Sequence, residues 1–325
     1  MGGCDGLISH NTITSNTARL YGGGLAWCNA TIEKNIITNN YCHSEGPGPD
    51  WGGGGLACCH GTIRNNIIAN NRTIGGGGGF WKCNGLIENN TIVQNSSNSV
   101  GSGLYGCAGP VRNCIIWGNR KAPQVYYFTN PSFCCIEALF LLERGNISRF
   151  PHFINAEEGD YHLRSWSPCI DAGDPASDFS QEPEPNGGRI DMGAYGNTPE
   201  ATGKSPDADG DSLPDDWEMH FFGGLAQVAE GDADGDGISN ADEYLGGTRP
   251  IRMSWYVDRP RPASGDGTSW EKAFRTIQEA IDVAHTILTR SSSLRGFISR
   301  TFVSKARMSF SEAPILSTQP LLPTQ

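Results

Sequence analysis

An internal repeat of about 24 residues in the first 120 positions most constrains what this chain can fold into. Five cysteines occupy one column of the repeat with spacings of 24, 31, 24 and 24 residues: Cys4, Cys28, Cys59, Cys83 and Cys107. Each follows a glycine-containing segment and precedes apolar positions that also recur. A unit this short cannot bury an apolar face alone, so the units are expected to stack as coils of a parallel β-solenoid, with neighbouring strands about 4.8 Å apart.

The other columns of the repeat predict which residues face inward and which form the bends. Two columns are apolar: Ile8, Ile32, Ile63, Ile87 and Val111, then Ile13, Ile37, Ile68, Ile92 and Ile116. Two columns carry asparagine: Asn11, Asn35, Asn66 and Asn90, ending with Cys114, then Asn16, Asn40, Asn71, Asn95 and Asn119. Asparagine tolerates left-handed backbone and its amide can bond to the same amide one coil away. With glycine at another bend, the pattern predicts a three-sided coil.

The recurring GGGL, Cys and IxxNxI elements resemble the right-handed parallel β-helix proteins of pectin-lyase-like architecture, over roughly residues 1–200. The resemblance implies an all-β fold, with coils over 1–120 and a C-terminal cap over 121–200. The cap would cover unpaired backbone groups of the last coil, with Asp171, Asp174 and Asp191 as turn or cap hydrogen-bonding residues. This fold serves lyases, hydrolases, epimerases, phage tailspikes and noncatalytic surface proteins, so it implies no single activity.

An acidic block follows, in which residues 204–250 carry twelve acidic against two basic side chains. Two 12-residue loops in it fit the calcium pattern D-x-D-x-D-G-x5-E. In loop 1, residues 207–218, the expected ligands are Asp207, Asp209, Asp211, Asp215, Glu218 and the Leu213 carbonyl. In loop 2, residues 232–243, they are Asp232, Asp234, Asp236, Asn240, Glu243 and the Ile238 carbonyl. Ser212 replaces the glycine of the pattern in loop 1, which predicts weaker or differently shaped coordination there.

The paired loops resemble bacterial thrombospondin-type-3-like calcium repeats and, less closely, the dockerin module. The first resemblance implies a Ca²⁺-stiffened interdomain connection, and the second implies a cohesin partner. A helix after each dockerin loop is only weakly indicated, because Gly223 and Gly224 soon interrupt the first. We favour the stiffening role.

Residues 254–285 resemble the N-terminal start of a second β-helix, with a short strand, a loop and an amphipathic helix. From 286 to 325 the Gly-Asn periodicity is absent, which predicts a disordered or aberrant tail. Because the repeat is already in progress at Met1, we expect the chain to be a fragment of a longer protein.

Catalytic groups are hard to find in the coils. Polysaccharide lyases and glycosidases need clustered carboxylates or a base beside Ca²⁺, whereas the outward charges are few and of both signs. The seven-residue insertion of the second coil offers His43, Glu45, Asp50 and Trp51 as possible glycan contacts on a loop. Trp27, Trp81 and Tyr105 could present flat faces to sugar rings, although core packing is the alternative reading of these three.

Charge and composition exclude some partners. The net charge of −11 resides almost entirely in the acidic block, which favours metal cations and argues against nucleic acid. No apolar stretch is long enough to span a membrane, and the first residues lack signal-peptide character. We therefore expect a noncatalytic, secreted or cell-surface segment, structural or glycan-associated and binding Ca²⁺. The alternatives are an incomplete polysaccharide lyase or glycoside hydrolase, and a dockerin-bearing cellulosome-type component.

Overall fold

The computed structural model describes residues 2–43, 51–127, 129–137, 143–251, 253–258, 263–265, 269–280, 282 and 300–304. Glu45 and Asp50 lie outside the described residues. By its contacts the chain divides into two units, residues 1–251 with 292–296, and residues 252–291 with 297–325.

The first unit is a right-handed parallel β-helix built from four stacked parallel sheets. Sheet 1 contains β1 (Leu7–Ser9), β5 (Thr31–Glu33), β9 (Ile63–Arg64), β13 (Ile87–Glu88), β17 (Val111–Arg112) and β20 (Pro131–Ser132), which define coils 1 to 6. Sheet 2 contains β2 (Thr12–Thr14), β6 (Ile36–Thr38), β10 (Ile67–Ala69), β14 (Thr91–Val93), β18 (Ile115–Trp117) and β21 (Cys135–Ile136). Sheet 3 contains β3 (Thr17–Ala18), β7 (Tyr41–Cys42), β11 (Arg72–Thr73) and β15 (Ser96–Ser97). Sheet 4 contains β4 (Leu25–Ala26), β8 (Leu56–Ala57), β12 (Phe80–Trp81), β16 (Leu104–Tyr105) and β19 (Val125–Tyr126).

The register of the sheets confirms the stacking that the sequence predicts. Ile32 pairs with Ile63, and Ile87 pairs with both Ile63 and Val111, so one apolar column runs up the interior. The four side chains are at most 1% exposed. The cysteine column lies in the same core, and all eleven cysteines of the chain are free thiols.

Coils 2 to 4 each contain four short strands, whereas the sequence predicted three sides. The corner that the sequence did not predict lies between sheet 4 and sheet 1. Glycine runs form the corner between sheets 3 and 4, where the sequence predicts a glycine bend. A Cβ on Gly78 would lie 2.4 Å from the Ser102 carbonyl oxygen of the next coil, which is closer than a real contact. The glycines are therefore needed because successive coils approach each other backbone to backbone at this corner.

The first asparagine column forms a continuous hydrogen-bonded ladder between sheets 1 and 2. In each step an amide oxygen accepts from the backbone and the amide of the coil below, as Asn90 Oδ1 does from Asn66 N and Nδ2 at 3.0 Å. The ladder continues through two thiols, because Cys114 Sγ accepts from Asn90 N at 3.5 Å and Cys134 Sγ accepts from Cys114 N at 3.3 Å. It then returns to an amide at Asn146, whose oxygen accepts from Cys134 N at 3.0 Å.

The segment after the coils covers the outer face of sheet 2. It includes the antiparallel hairpin of β22 (Phe153–Asn155) and β23 (Asp160–Leu163). Tyr161 and Ala194 pack with the outward side chains Ile67, Ala69 and Val93, all less than 10% exposed. In coil 2, which these residues do not cover, the equivalent Ile36 is 44% exposed.

Residues 190–197, which we call the strap, run back along the coils and bond to a column of asparagines. Gly193 N donates to Asn113 O at 2.8 Å, Asn89 Nδ2 to Asp191 O at 3.2 Å, and Asn65 Nδ2 to Gly196 O at 2.8 Å. The sequence predicted that this segment would close the end of the last coil. Most of it lies along the outer face of sheet 2 instead. Three coils present apolar residues on that face, and each of them has an asparagine at the adjacent bend to which the segment bonds.

The acidic block ends the first unit with two short helices, α1 (Asp215–Phe221) and α2 (Asn240–Gly246). The second unit contains β24 (Met253–Val257), where a short strand is expected, and helical residues 277–280 with Ala273 and Ala280 buried. β24 pairs in parallel with β25 (Arg300–Ser304), a strand within the tail that was expected to lack structure.

Candidate functional site

The two acidic loops share the hydrogen bonds that close each turn, and loop 2 has two more, from Asp236 N to the carboxylates of Asp232 and Asp234. The first aspartate of each accepts from position 4, as Asp207 does from Gly210 at 2.9 Å and Asp232 from Gly235 at 2.6 Å. Its second oxygen accepts from position 6 at 3.1 Å in loop 1 and 2.9 Å in loop 2. Such matched folding over a 25-residue offset means that both loops are versions of one structural unit.

Position 6 adopts a left-handed backbone in both loops, with φ of +79° at Ser212 and +92° at Gly237. This region is costly for a residue that carries a Cβ. Loop 1 therefore keeps the shape of loop 2 despite its serine, at the cost of backbone strain at Ser212. The weaker affinity expected of loop 1 stays a prediction.

The carboxylates of loop 1 converge as the sequence predicts. Ligand atoms of Asp207, Asp209 and Asp215 lie within 4.8 Å of one another, and so do those of Asp209, Asp211 and Glu218. In loop 2 the same holds for Asp232, Asp234 and Asp236. Oxygen atoms in such groups are what Ca²⁺ takes as ligands.

Glu218 stands out among the carboxylates of loop 1. Its side chain is fully buried, and within the described part of the chain neither of its carboxylate oxygens has a hydrogen-bond partner. Burial, followed by repulsion from Asp209, Asp211, Asp215 and Asp207, raises its pKa to about 7. A carboxylate buried among like charges is strongly disfavoured unless a cation or a proton neutralises it.

Glu243 takes the corresponding place in loop 2 and is 1% exposed. Its Oε1 accepts from the Thr248 hydroxyl at 3.4 Å, and its Oε2 has no partner among the described residues. Burial, followed by repulsion from Asp234 and Asp236, raises its pKa to about 8. Both loops thus end on a buried acid that is repelled by the aspartates of its own loop, and Glu218 alone of the two brings a ligand atom within 4.8 Å of theirs.

The remaining expected ligands serve loop closure and packing. Asn240 accepts from Ala233 N at 3.3 Å and donates to Val228 O at 2.9 Å, so its amide ties the loop to itself. Asp215 does the same in loop 1, accepting from Ala208 N at 2.8 Å. The side chain of Leu213 is buried in an apolar cluster, while that of Ile238 is half-buried.

A third group of carboxylates, which the calcium pattern could not reveal, lies in the cap. Asp171, Glu182 and Asp191 bring ligand atoms within 4.8 Å of one another. Asp191 accepts from Asp171 N at 2.9 Å, and Glu182 accepts from Asp191 N and Asn197 N at 2.9 and 2.8 Å. Burial raises the pKa of Asp191 to about 8. These contacts agree with the cap hydrogen-bonding role that the sequence predicts for Asp191, whereas Asp171 contributes its backbone N–H to them.

The aromatic residues that were expected to face sugars divide into two groups. Trp81 and Tyr105 are 4% and 7% exposed and pack with Ala57 on the outer face of sheet 4, which withdraws their flat faces from solvent. Trp27 is 51% exposed. At the other end of the same face the sequence reading missed Tyr126 and Tyr127, which are 47% and 52% exposed and stack on Tyr105.

The insertion supplies two described residues near this face. The ring of Trp51 lies 5.3 Å from that of Tyr21, and Tyr21 also lies 5.4 Å from Trp27. His43 is exposed and lies 5.8 Å from the ring of Tyr41. The structure therefore brings Trp51 and Trp27 into one aromatic group through Tyr21.

The outward charges of sheet 1 form ion pairs between coils. Arg64 lies 2.7 Å from Glu33, and Arg112 lies 2.9 Å from Glu88. These residues line a polar cleft of about 410 Å³ between sheet 1 and residues 176–178 of the cap. Both guanidinium groups are therefore already paired with carboxylates. This agrees with a solvated surface, which the mixed signs of the outward charges indicate.

Comparison with known proteins supports the fold and no particular activity. Residues 1–134 match the family described as right-handed β-helix region. Neither the curated proteins nor the solved structures include a match to this chain. Among the described residues, no helix has the length and apolar character needed to cross a membrane.

Proposed function

We propose that this chain is a noncatalytic structural segment of a secreted or cell-surface protein, a β-helix whose C-terminal end is stabilised by two Ca²⁺ ions. The observation that carries this proposal is Glu218, which is fully buried beside four aspartates and whose two carboxylate oxygens have no hydrogen-bond partner among the residues that the structure describes. The equivalent Glu243 in a loop of the same conformation supports it.

The number and type of ligands favour Ca²⁺ over other cations. Each loop offers several carboxylate oxygens and neither histidine nor cysteine, which suits a hard cation with six to eight oxygen ligands. Extracellular calcium modules work at roughly 10⁻⁴ to 10⁻³ M. An affinity in that range would fit a structural site in a calcium-rich exterior.

The helices of the acidic block pack on the cap, which favours a role in stiffening the connection after the β-helix over a role in binding a cohesin. The two helices that follow the loops direct Trp217 and Tyr244 into an apolar cluster with Trp166 of the cap. Helix faces that are packed against the cap are not free to bind a partner protein. The dockerin reading therefore has less support than a rigid extension of the β-helix.

Calorimetry on the purified chain tests calcium binding. We expect about two Ca²⁺ per chain, with Glu243→Gln weakening loop 2 by removing its bidentate ligand and Asp178→Asn, an exposed cap carboxylate, leaving both sites unchanged. No heat at millimolar Ca²⁺, or the same affinity in Glu243→Gln, would mean that the acidic block is only a solvated segment.

Glycan association is a second candidate function, favoured by the exposed aromatic residues of sheet 4. Trp27 in coil 2 and Tyr126 in coil 6 lie four coil steps apart, about 19 Å along the axis. Amphipathic rings of this kind offer apolar faces with a polar edge, which suits the alternating surfaces of a sugar chain.

Retention on immobilised pectin, alginate and cellulose tests this second function. We expect Tyr126→Ala and Tyr127→Ala to reduce retention, and Leu7→Ala, which alters an exposed apolar residue on sheet 1, to have no effect. Equal retention of all variants would remove the aromatic face from consideration.

The same polysaccharides distinguish this proposal from the enzyme alternatives. We expect neither unsaturated products nor new reducing ends on incubation. Turnover that His43→Ala abolishes would contradict the noncatalytic role and would locate a site at the insertion of the second coil.

A further inference from the structure

The residues next to the two buried glutamates face the β-helix cap. Trp217 precedes Glu218 in α1, and Tyr244 follows Glu243 in α2. Their rings lie 5.7 Å apart, and Trp217 is fully buried. Any change in the position of a glutamate must therefore move a side chain that packs against the cap.

Helix α2 is fastened to the cap by three hydrogen bonds. The Tyr244 hydroxyl donates to Trp166 O at 2.9 Å, and Phe150 N donates to Leu245 O at 3.0 Å. His152 Nε2 lies 2.8 Å from Tyr244 O, and because a carbonyl can only accept, this nitrogen carries the hydrogen. Burial lowers the pKa of His152 to about 4, so the imidazole is neutral near pH 7 and stacks on the Tyr244 ring.

Helix α1 is held in a similar way. Asp216 Oδ2 accepts from the Ser165 hydroxyl at 2.5 Å, and Asp216 N donates to the Ser205 hydroxyl at 3.0 Å. Ser205 N in turn donates to Ser165 O at 2.7 Å. The ring of His220 lies 5.4 Å from that of Trp166.

The same stretch of the cap continues into the last coils. Phe150 lies between His152, at 5.0 Å, and Trp117 of β18, at 5.9 Å, measured between ring centroids. Cys135 of β21 donates from Sγ to Arg149 O at 3.1 Å, and Ile136 N donates to Ile147 O at 2.9 Å. A continuous set of contacts thus joins the helices of the acidic block to coils 5 and 6.

The helices have little stability of their own. Each has seven residues, well below the roughly 12 to 15 that an isolated helix needs in water. Without a cation, Glu218 and Glu243 are buried beside like charges, which favours opening of the loops. With a cation bound, the same acids fix the start of each helix.

We propose that calcium occupancy of the two loops controls the stability of the last coils of the β-helix, acting through Trp217 and Tyr244 on the cap. The acidic block is then a calcium-dependent clasp for the solenoid end. This inference rests on the proposed calcium sites. It follows from linkage, since an ion that binds only the closed loops stabilises every element that closes with them.

Amide hydrogen exchange on the whole chain, with Ca²⁺ and with a chelator, tests the clasp. We expect Ca²⁺ to slow exchange at least tenfold in residues 147–167 and in β21, as well as in 205–248. Exchange in β1 and β6, in the coils that the cap does not cover, should change less than twofold. Slowing confined to residues 205–248 would overturn the inference and leave the calcium sites intact.

Variants separate the clasp from calcium binding itself. Tyr244→Ala keeps all the acidic ligands, so calorimetry should still detect two sites while the slowing in 147–167 is lost. Tyr244→Phe removes only the bond to Trp166 O and should retain part of the slowing. Met219→Ala, on the exposed side of α1, should behave as the unmodified chain.

Two outcomes count against the clasp, and they differ from each other. Full slowing of residues 147–167 in Tyr244→Ala would show that the cap responds to calcium by another route and would overturn the inference. Absence of calcium heat in the unmodified chain would overturn the proposed function itself.

Discussion

At the scale of single residues, buried polar side chains divide into those that hydrogen-bond within the fold and those whose polar atoms have no partner in the described part of the chain. The amides of the first asparagine ladder bond to backbone groups on their own coil and on the one beneath. The Glu218 carboxylate has no such partner among the described residues, although it is equally buried. Because burial without a partner is costly, this contrast distinguishes a structural column from a candidate cation ligand.

Asn90→Ala tests the contribution of the ladder. The Asn90 side chain donates to Ile63 O at 2.8 Å and to Glu88 O at 2.9 Å, and it accepts from Asn66 N and Nδ2. Its removal leaves buried groups unsatisfied, at about 1 to 3 kcal/mol for each such group. We expect a loss of about 3 kcal/mol or more in the free energy of unfolding, measured with urea.

The matched control is Asn98→Ala, since Asn98 is exposed and its side chain accepts from Lys121 at 3.0 Å. This change should cost about 0.5 kcal/mol or less, as exposed polar substitutions usually do. Equal losses in the two variants would contradict a special role for the ladder.

At the scale of elements, the strap and the acid loops show how short segments depend on what they contact. The strap has little regular structure, and its position comes from apolar residues on sheet 2 and asparagines at the adjacent bend. The conformation of loops 1 and 2 follows from the spacing of their aspartates, because these side chains accept the backbone hydrogen bonds that close each turn.

Asp191 should make the strap weaken as the pH rises. Its pKa is about 8 in the folded chain against an ordinary value of 3.8. Between these values the unfolded chain releases the proton and the folded chain keeps it, so stability present near pH 4 is lost as the pH approaches 8. In saturating Ca²⁺, which holds Glu218 and Glu243 ionised, we expect the free energy of unfolding to fall across this range.

Asp191→Asn should flatten this dependence, because an amide does not titrate. Asp178→Asn alters an exposed carboxylate in the same cap and should retain the slope. Urea unfolding at several pH values measures both variants, and parallel slopes for all three chains would refute the assignment to Asp191.

At the scale of the whole molecule, contacts of residues 1–251 place the coils and the acidic block in one compact unit. The solenoid is stabilised coil by coil through neighbour contacts, so its last coils are the ones that gain from an added clasp.

Thermal unfolding should therefore depend on calcium and pH together. Near pH 8 we expect saturating Ca²⁺, about a hundred times the dissociation constant, to add about 2.7 kcal/mol per site, raising Tm by about 5 °C or more. Near pH 5 the rise should shrink, because the pKa values of about 7 for Glu218 and about 8 for Glu243 leave both protonated without the ion. Scanning calorimetry measures this, and a pH-independent rise would contradict the roles of these acids.

The sequence by itself determined the features that repeat at a fixed interval. A 24-residue period with constant residue types specifies stacked parallel strands, because every coil must satisfy the same neighbours above and below. The inward isoleucine column, the asparagine bends and the two equivalent aspartate loops follow from spacing alone. The directions of the Trp81 and Tyr105 rings could not be predicted from the sequence. Their strands are only two residues long, so the alternation of inward and outward side chains cannot be read from them.

Only the tertiary structure decided where the non-repeating parts lie. The fourth side of coils 2 to 4 depends on an additional corner between sheets 4 and 1, and the strap lies on sheet 2 because outward apolar residues of three coils need cover. The burial of Glu218 depends on the cap residue Trp166, about 50 positions away in the chain, which packs with Trp217. Contacts between distant segments follow no local pattern, because packing of whole surfaces determines them.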